Sequence, residues 1–234
     1  MKIAVMQPYF FPYIGYFQLL NAVDEFIVYD NIQYTKRGWI NRNRILSNGR
    51  PDYFTIPLKN ESDFLDIDKR HIAPEWLHER KRVLNRITES YRKAPCFNDI
   101  FPLIRSGFLY DDDNLFWFLF NSLMVVSTYL EIKTPVIISS SLDADHSLKS
   151  ADRIISICKS RNAGTYFNPE GGTKLYDKDY FRDRGIDLNF LISSGVRYRQ
   201  FQDDFVPSLS IIDVMMFNSP EKTSEFLRTA FDII

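Results

Sequence analysis

The residue types best suited to bind a phosphate-bearing ligand are concentrated between positions 30 and 51. Five cationic side chains and no acidic one occur from position 35 to position 51, namely Lys36, Arg37, Arg42, Arg44 and Arg50. Guanidinium groups bind phosphate oxygens through paired hydrogen bonds, and the amides of Gln33 and Asn41 can bind sugar hydroxyls. The rings of Tyr34 and Trp39 can stack on a base or a sugar. The pattern predicts a binding segment for a phosphate-bearing ligand, against the alternative of a solvated basic loop.

Asp30 and Lys36 are the candidate catalytic residues of this segment. Asp30 ends an apolar run that is predicted to be a strand, where partial removal from water would suit a general base. Lys36 would supply positive charge beside a phosphate group. Because the chain contains no evident Ser-His-Asp or Cys-His set, the residues favour direct transfer to an amine over a covalent enzyme intermediate.

The second candidate segment is the loop Gln7-Pro8-Tyr9-Phe10-Phe11-Pro12, which leads into a predicted helix start at Tyr13-Ile14-Gly15-Tyr16. Two prolines restrict the loop, and the amide groups at a helix N-terminus suit a phosphate or a carboxylate. A glycine there would let a ligand or a neighbouring backbone approach closely. The candidate binding residues are Gln7, Tyr9, Tyr13, Gly15 and Tyr16. The alternative is that the rings belong to the core and the prolines only shape the chain.

Three further groups of residues carry potential ligands. The string from Glu170 to Tyr176 lacks the spacing of a phosphate-binding P-loop, so a substrate loop built on Gly171 and Gly172 and a plain turn both remain open. Asp213 lies in an apolar stretch and needs a partner, for which a basic residue of the 36–44 segment is the candidate. The string from Asp143 to His146 offers metal ligands, but a helix cap has the same composition, and we assign no metal site.

Strand and helix signals alternate at both ends of the chain. Strands are predicted at 2–6, 25–30, 53–58, 135–139, 165–168 and 186–192. Helices are predicted at 13–22, 74–91, 97–107, 115–130, 147–162, 209–217 and 220–232, with a short one ending at Gly185. Ser147 is the expected cap of the 147–162 helix and Gly164 its left-handed end. Residues 31–52 form a long polar stretch.

The order of these elements predicts an α/β fold, a Rossmann-like parallel sheet with flanking helices. A strand, a helix and a second strand within the first 30 residues make a βαβ unit. Helical signals between about 70 and 130 predict a helical insertion into a single domain that spans 1–234. Ligands of such sheets bind beyond the carboxyl ends of the strands, where both candidate segments emerge.

Composition and charge exclude several classes of protein. The 234 residues include 29 basic and 30 acidic side chains, so no overall field would attract nucleic acid or an anionic membrane. The two cysteines lie far apart and form no scaffold of disulfides. The apolar stretch 115–130 is shorter than the roughly 20 residues of a bilayer span. We expect it to be a core helix that buries Phe116, Trp117, Phe118 and Phe120. Without the pattern of a secretory signal at the N-terminus, the expected location is the cytoplasm.

Several strings together resemble the WbqC-like protein family. They are Met6 to Phe17, Tyr29 to Tyr34, Lys36 to Asn43, Gly171-Gly172, Tyr198-Arg199-Gln200 and Leu209 to Asp213. The resemblance implies a bacterial protein associated with the synthesis of O-antigen or another surface polysaccharide. An enzyme that modifies an activated amino sugar, by acyl or aminoacyl transfer, would suit that setting.

A weaker likeness concerns the HIGH-motif nucleotidyltransferases, pantothenate synthetase especially. Their His-x-Gly-His sequence at a helix N-terminus stabilises charge on an ATP phosphate during adenylyl transfer. The corresponding positions here read Tyr13-Ile14-Gly15-Tyr16. A phenol can donate a hydrogen bond but carries no positive charge near neutral pH. The departure puts adenylyl transfer in doubt, although Lys36, Arg37 and Arg42 could supply the missing charge.

Three hypotheses for function follow. The first is a transferase of surface-polysaccharide synthesis that acts on a nucleotide-linked amino sugar. The second is an ATP-dependent ligase or adenylyltransferase of the HIGH-motif type, and the third is a non-catalytic binding protein of a polysaccharide assembly. A small molecule, a nucleotide sugar in the first case, is the expected partner, with no nucleic acid and no membrane span. The residues identify no cofactor.

Overall fold

A mostly parallel β-sheet with helices on both faces forms the centre of the molecule. The computed structural model describes residues 1–202 and 204–234, and over these residues six strands form the sheet in the order β5–β2–β1–β6–β7–β8. The strands are β1 (Lys2–Met6), β2 (Glu25–Val28), β5 (Val136–Ile138), β6 (Thr165–Pro169), β7 (Asp187–Ser193) and β8 (Phe231–Ile233). Every neighbouring pair is parallel except β7 and β8. The predicted Rossmann-like α/β class is confirmed.

The first 28 residues form the predicted βαβ unit. Helix α1 (Ile14–Asn21) joins β1 to β2, and the two strands pair in parallel with Ile3 opposite Glu25. Ile3, Ala4 and Val5 are all buried, because β1 lies inside the sheet and is covered on both faces. The strand order reverses next to β1, since β2 and β5 lie on one side of it and β6 and β7 on the other. This reversal is the kind of position at which open α/β sheets bind ligands.

No strand was predicted within the polar stretch 31–52, but its second half forms most of a β-hairpin. Strand β3 (Arg42–Ser47) pairs antiparallel with β4 (Arg50–Thr55) in a separate hairpin, so β4 also begins earlier than the predicted 53–58 strand. Asn48 and Gly49 connect the two strands, with φ of +50° and +72°. An Asn-Gly pair at positive φ is a strong hairpin signal, and it was present in the sequence.

Three helices lie between the hairpin and β5, as the sequence predicted. They are α2 (Trp76–Tyr91), α3 (Phe97–Phe108) and α4 (Leu115–Tyr129). The expectation that α4 is buried throughout is wrong at Trp117, which is 44% exposed, and Phe120 is only partly buried. Among the described residues, no helix has both the length and the apolar character to cross a membrane. The division of the chain into domains stays a prediction.

The C-terminal half completes both faces of the sheet. Its helices are α5 (Ser150–Ser160), α6 (Lys178–Arg182), α7 (Ile211–Phe217) and α8 (Pro220–Thr229). Helix α5 begins after Ser147, and Asn162, with φ of +53°, takes the left-handed conformation that was expected of Gly164. Helix α8 ends before the predicted residue 232, because the last residues pair with β7 as strand β8.

The hydrophobic core has two parts, one on each face of the sheet. Ile3 and Val5 point into the smaller part, which α5 and α6 cover. Ala4 points into the larger part, which includes residues of α1, of the hairpin and of α2, α3, α4, α7 and α8. The hairpin and the helices of the 76–129 region therefore pack against the same face of the sheet as α1, beside the loop that follows β1.

Candidate functional site

A cavity of about 520 Å³ opens at the carboxyl ends of β1, β6 and β7, where the strand order reverses. Its volume lies within the range of small-molecule sites. The side chains with polar groups on its wall are Tyr9, Tyr13, Trp39, Asn43, Arg44, Glu170, Ser193, Ser194, Tyr198 and Ser208. Among the described residues on this wall, Arg44 and Glu170 are the two that carry a formal charge. The cavity can therefore receive a ligand that has both an anionic and a cationic or proton-donating group.

The loop that follows β1 is held in a strained conformation by buried polar side chains. Phe11 has a φ of +43°, a region that large side chains rarely adopt. Its carbonyl oxygen accepts hydrogen bonds of 2.6 Å from Nδ2 of Asn43 and 2.6 Å from Oγ of Ser210. Asn43 Nδ2 also donates to the carbonyl oxygen of Phe10, at 3.1 Å. These contacts fix the path of the chain that carries Tyr9 and Tyr13 to the cavity.

Tyr13 folds back over Gly15 at the start of α1. A Cβ atom at Gly15 would lie 2.6 Å from the Tyr13 hydroxyl and still closer to two carbons of the ring. Gly15 therefore makes room for a side chain of the protein itself, not for a ligand. Burial and the nearby Glu170 carboxylate raise the pKa of Tyr13, and burial raises the pKa of Tyr9 to about 12. Both phenols therefore stay protonated near neutral pH and are able to donate hydrogen bonds into the cavity.

Asp213 is wholly buried at the back of the cavity wall, and its partners are not the basic residues that the sequence suggested. Tyr198, which lines the cavity, donates a 2.5 Å hydrogen bond to Oδ2, and Gln200 Nε2 donates to the same oxygen at 2.8 Å. Tyr91 donates to Oδ1 at 2.7 Å and accepts from the amide of Leu46. The correction has a simple reason: three neutral donors satisfy the carboxylate without burying a second charge. Burial raises the pKa of Asp213.

The basic segment is only partly directed at the cavity. Nε of Arg44 donates a 3.0 Å hydrogen bond to the carbonyl oxygen of Ser208, so this guanidinium lies on the wall. The guanidinium of Arg42 instead donates to the carbonyl oxygens of Gly38 and Arg37 and so holds the turn that carries Trp39. The Lys36 ammonium forms an exposed ion pair with Asp63 at 2.7 Å.

Five of the site residues suggested by the sequence line the cavity. They are Tyr9, Tyr13, Trp39, Arg44 and Gly171. The others do not: Gln7, Gly15, Tyr16, Asp30, Gln33, Tyr34, Lys36, Arg37, Asn41, Arg42, Gly172 and Asp213.

Most of the residues away from the wall have structural contacts in place of a ligand. Tyr16 is fully buried and donates to the carbonyl oxygen of Gln7, while Tyr34 is buried and donates to Oδ1 of Asn41. The side-chain amide of Gln33 donates to the backbone at Asp63. A Cβ atom at Gly172 would overlap the side chain of Asn168. Because their polar groups are bonded within the protein, the 7–16 and 30–44 segments contribute only some of their polar residues to the cavity wall.

Asp30, the suggested general base, lies at the same sheet edge but away from the cavity. Its side chain is buried, and Oδ1 accepts a 2.9 Å hydrogen bond from the amide of Ser140. It follows β2, whereas the cavity opens above β1, β6 and β7. Glu170, which directly follows β6, is the carboxylate on the wall.

Four of the other polar wall residues that were not predicted come from the end of β7 and the chain that follows it, whereas Asn43 comes from β3. Ser193, Ser194, Tyr198 and Ser208 lie on β7 or on the segment between β7 and α7. The sequence carried one usable signal for them, because a strand of the parallel sheet was predicted to end at residue 192 and ligands bind beyond such ends.

The Asp143 to His146 string folds as a local turn. Asp145 Oδ1 accepts hydrogen bonds from the amide and the hydroxyl of Ser147, at 3.0 and 2.6 Å. Nε2 of His146 lies 3.1 Å from the carbonyl oxygen of Leu142. Across residues 1–202 and 204–234, no group of three or more His, Cys, Asp or Glu side chains is placed to hold a metal ion.

The open parallel sheet with a ligand-sized cavity at its strand reversal makes this a Rossmann-like α/β protein. A sequence model of the WbqC-like protein family matches residues 7–225, and the chain belongs to that family. It is similar to the uncharacterized protein Rv1507c of Mycobacterium tuberculosis, with 28% identity over 231 residues that cover 97% of each chain. No solved structure gives a significant match.

Proposed function

We propose that the protein is a transferase of bacterial surface-polysaccharide synthesis that adds an acyl or aminoacyl group to a nucleotide-linked amino sugar. The observation that carries the proposal is the pair of opposite charges on the cavity wall, Arg44 and Glu170. A nucleotide-linked amino sugar has the matching pair, because it combines phosphate groups with an amine. The chain belongs to the WbqC-like family. The proposal takes the setting of polysaccharide synthesis from what the resemblance to that family implies.

Arg44 is the phosphate-binding residue of the proposal. Its Nε is engaged by the carbonyl oxygen of Ser208, which fixes the plane of the guanidinium. Among the described residues, no hydrogen bond occupies Nη1 or Nη2, so both can point at phosphate oxygens. Paired N–H donors in one plane fit a phosphate better than a single ammonium group does.

Glu170 is the general base of the proposal. It lies at the carboxyl end of β6 beside Tyr13. As the sugar amine attacks the acyl carbon, a new C–N bond forms, the bond to the donor's leaving group breaks, and the carboxylate accepts the proton that the amine loses. The phenols of Tyr9 and Tyr13 are placed to donate hydrogen bonds to sugar or acyl oxygens.

The adenylyltransferase alternative lacks support at the positions that would carry it. Tyr16 is fully buried with its hydroxyl on a backbone carbonyl, and Tyr13 covers the helix start at Gly15. Neither residue offers a cation to an ATP phosphate, and Lys36 and Arg42 are engaged elsewhere. Pyrophosphate release with ATP and candidate acids would reinstate this alternative.

The proposal is tested by mass spectrometry of reaction mixtures. UDP- and dTDP-linked amino sugars are incubated with the protein and either acetyl-coenzyme A or ATP plus an amino acid, and the sugar is examined for the added mass of the acyl group. We expect Glu170→Gln to bind the sugar nucleotide but to lose at least 100-fold in turnover, within the usual contribution of about 10²–10⁴ for general base catalysis. Glu79→Gln, on the exposed face of α2, is the matched control. Equal turnover in Glu170→Gln and the parent would refute the role of Glu170, and no binding of any amino sugar nucleotide would refute the proposal.

A further inference from the structure

We infer that a binding subsite for the nucleobase of a nucleoside diphosphate lies on the protein surface next to the cavity. The subsite is built from Trp39, Tyr53, Arg42 and Arg44, and Trp39 connects it to the cavity. This inference rests on the proposed function and deepens it, because it states which end of the nucleotide-linked ligand lies outside the cavity. It also assigns a role to Tyr53, for which the sequence suggested none.

The subsite lies on the outer face of the β3–β4 hairpin. Arg42 and Arg44 are two residues apart on β3, so their side chains leave the same face of the strand. Tyr53 is the cross-strand partner of Arg44 on β4 and shares that face. The opposite face carries the buried Asn43 and Ile45, which pack into the molecule. One face of the hairpin thus holds the structure together, and the other presents an aromatic ring and two guanidinium groups.

Trp39 and Tyr53 form an exposed aromatic surface next to the cavity. Their rings are nearly parallel, with an interplanar angle of 17° and centroids 6.2 Å apart. Trp39 remains 39% exposed and Tyr53 49% exposed, so the pair is not core material. Successive bases stack on such rings in proteins that bind single-stranded nucleic acid, and every base has a π-face that can do so.

The charge around this surface suits an anionic ligand. The guanidinium carbons of Arg42 and Arg44 lie 5.5 and 5.6 Å from the centroid of the Trp39 ring. Asp52, the acidic residue of β4, is paired with Arg86 at 3.3 Å. Arg42 is engaged by the carbonyl oxygens of Gly38 and Arg37 and holds Trp39 in place, so Arg44 is the guanidinium with donors left for phosphate. An aromatic ring beside such a guanidinium can bind a base and its phosphates together, which a plain aromatic patch would not do.

Trp39 and Arg44 belong to both the cavity wall and the hairpin face, and this continuity orients the ligand. With phosphates at Arg44, a base that stacks over Trp39 and Tyr53 leaves the sugar to enter the cavity toward Glu170. The reverse orientation would put the base in the cavity and leave the exposed rings without a function.

The test is a titration of the full chain with UDP, GDP and inorganic pyrophosphate, followed by calorimetry and by tryptophan fluorescence. The chain contains three tryptophans: Trp39, the buried Trp76 and the exposed Trp117. We expect UDP and GDP to quench fluorescence in the parent and in the control Trp117→Phe, and the quenching to be lost in Trp39→Phe. Tyr53→Ala should lower the affinity for UDP and GDP by about 5- to 150-fold, which is the range for the loss of one base-stacking contact. It should leave the affinity for pyrophosphate unchanged.

Two outcomes would overturn the inference. The first is that Tyr53→Ala binds UDP and GDP with unchanged affinity. The second is that Tyr53→Ala loses as much affinity for pyrophosphate as for the nucleotides, which would indicate that the substitution displaces Arg44. If a UDP-linked amino sugar binds in a manner that depends on Arg44 while Tyr53→Ala leaves its affinity unchanged, the subsite is refuted and the proposed transferase function survives. If no phosphate-bearing ligand binds, both proposals fall.

Discussion

The hydroxyl of Tyr198 on the cavity wall donates a 2.5 Å hydrogen bond to Oδ2 of the wholly buried Asp213. Tyr91, which lies outside the cavity, donates to the other carboxylate oxygen at 2.7 Å. Because the Tyr198 proton is committed to Asp213, its hydroxyl oxygen can only accept a hydrogen bond from a ligand. Asp213 therefore fixes both the position and the hydrogen-bonding direction of one wall residue.

Replacing the two tyrosines separately distinguishes a ligand contact from a structural one. Tyr198→Phe and Tyr91→Phe each remove one donor from Asp213, and each should lower the free energy of unfolding by about 1–3 kcal/mol in urea titrations. We expect only Tyr198→Phe to weaken ligand binding in calorimetry, by about fivefold or more, because a hydrogen bond is worth about 1 kcal/mol. Equal losses of affinity in both variants would show that Tyr198 acts on the ligand only through Asp213.

Asp213 should give the protein an unusual dependence of stability on pH. Burial raises its folded-state pKa above the ordinary value of 3.8, so the folded state binds this proton more tightly than the unfolded state does. Protonation of Asp213 therefore contributes to the free energy of unfolding. This contribution is complete at low pH and is lost as the pH rises through the folded-state pKa. Relative to Asp213→Asn, the parent should therefore lose stability as pH is raised from about 4, in urea titrations at successive pH values. A parent that gains stability over the variant with rising pH would contradict the raised pKa.

We predict that the protein needs a glycine at position 15 for its stability, because the Tyr13 side chain occupies the space that a Cβ atom would fill. Gly15→Ala should destabilise the protein by about 1–3 kcal/mol in thermal or urea unfolding, because the new methyl group would overlap the Tyr13 ring. In a Tyr13→Ala background the same change should become neutral or stabilising by up to about 1 kcal/mol, since alanine favours a helix over glycine. Gly164→Ala, where nothing lies within 4 Å of the added atom, is the control. Additive effects of Gly15→Ala and Tyr13→Ala would argue against the contact.

The fold was predictable where signals were local. The run Lys2–Met6, the loop with two prolines and the run after residue 25 gave the βαβ unit, because each element is specified by its own residues. The β3 strand was missed because its buried face includes Asn43, which hydrogen-bonds to the loop after β1 rather than being apolar. Its burial depends on a partner 32 residues away in sequence, which no local pattern records.

The site was predictable as an edge of the sheet but not residue by residue. Both Asp30 and Glu170 follow parallel strands, so the sequence places both at the carboxyl edge. Which of them faces the cavity depends on the strand order. Both β2 and β6 are neighbours of β1, but the order reverses between β1 and β6, and the cavity opens on that side. The partners of Asp213 come from α2 and from the segment after β7, and such long-range pairings appear only once the chain is folded.

The loop after β1 should depend on the donor groups of Asn43. At neutral pH, Asn43→Asp presents a buried carboxylate to the carbonyl oxygens of Phe10 and Phe11 in place of the amide that now donates to both. It should cost about 3–5 kcal/mol, as an uncompensated buried charge does, and more than Asn43→Ala, which only removes the donors. Because the introduced carboxyl group regains one donor when it is protonated, the stability of Asn43→Asp should rise relative to Asn43→Ala as pH falls from 7 to 4. Urea titrations at both pH values measure this difference in stability. If the difference does not change with pH, water has entered and replaced the donors of the amide, and Ser210 alone holds Phe11 in its left-handed conformation.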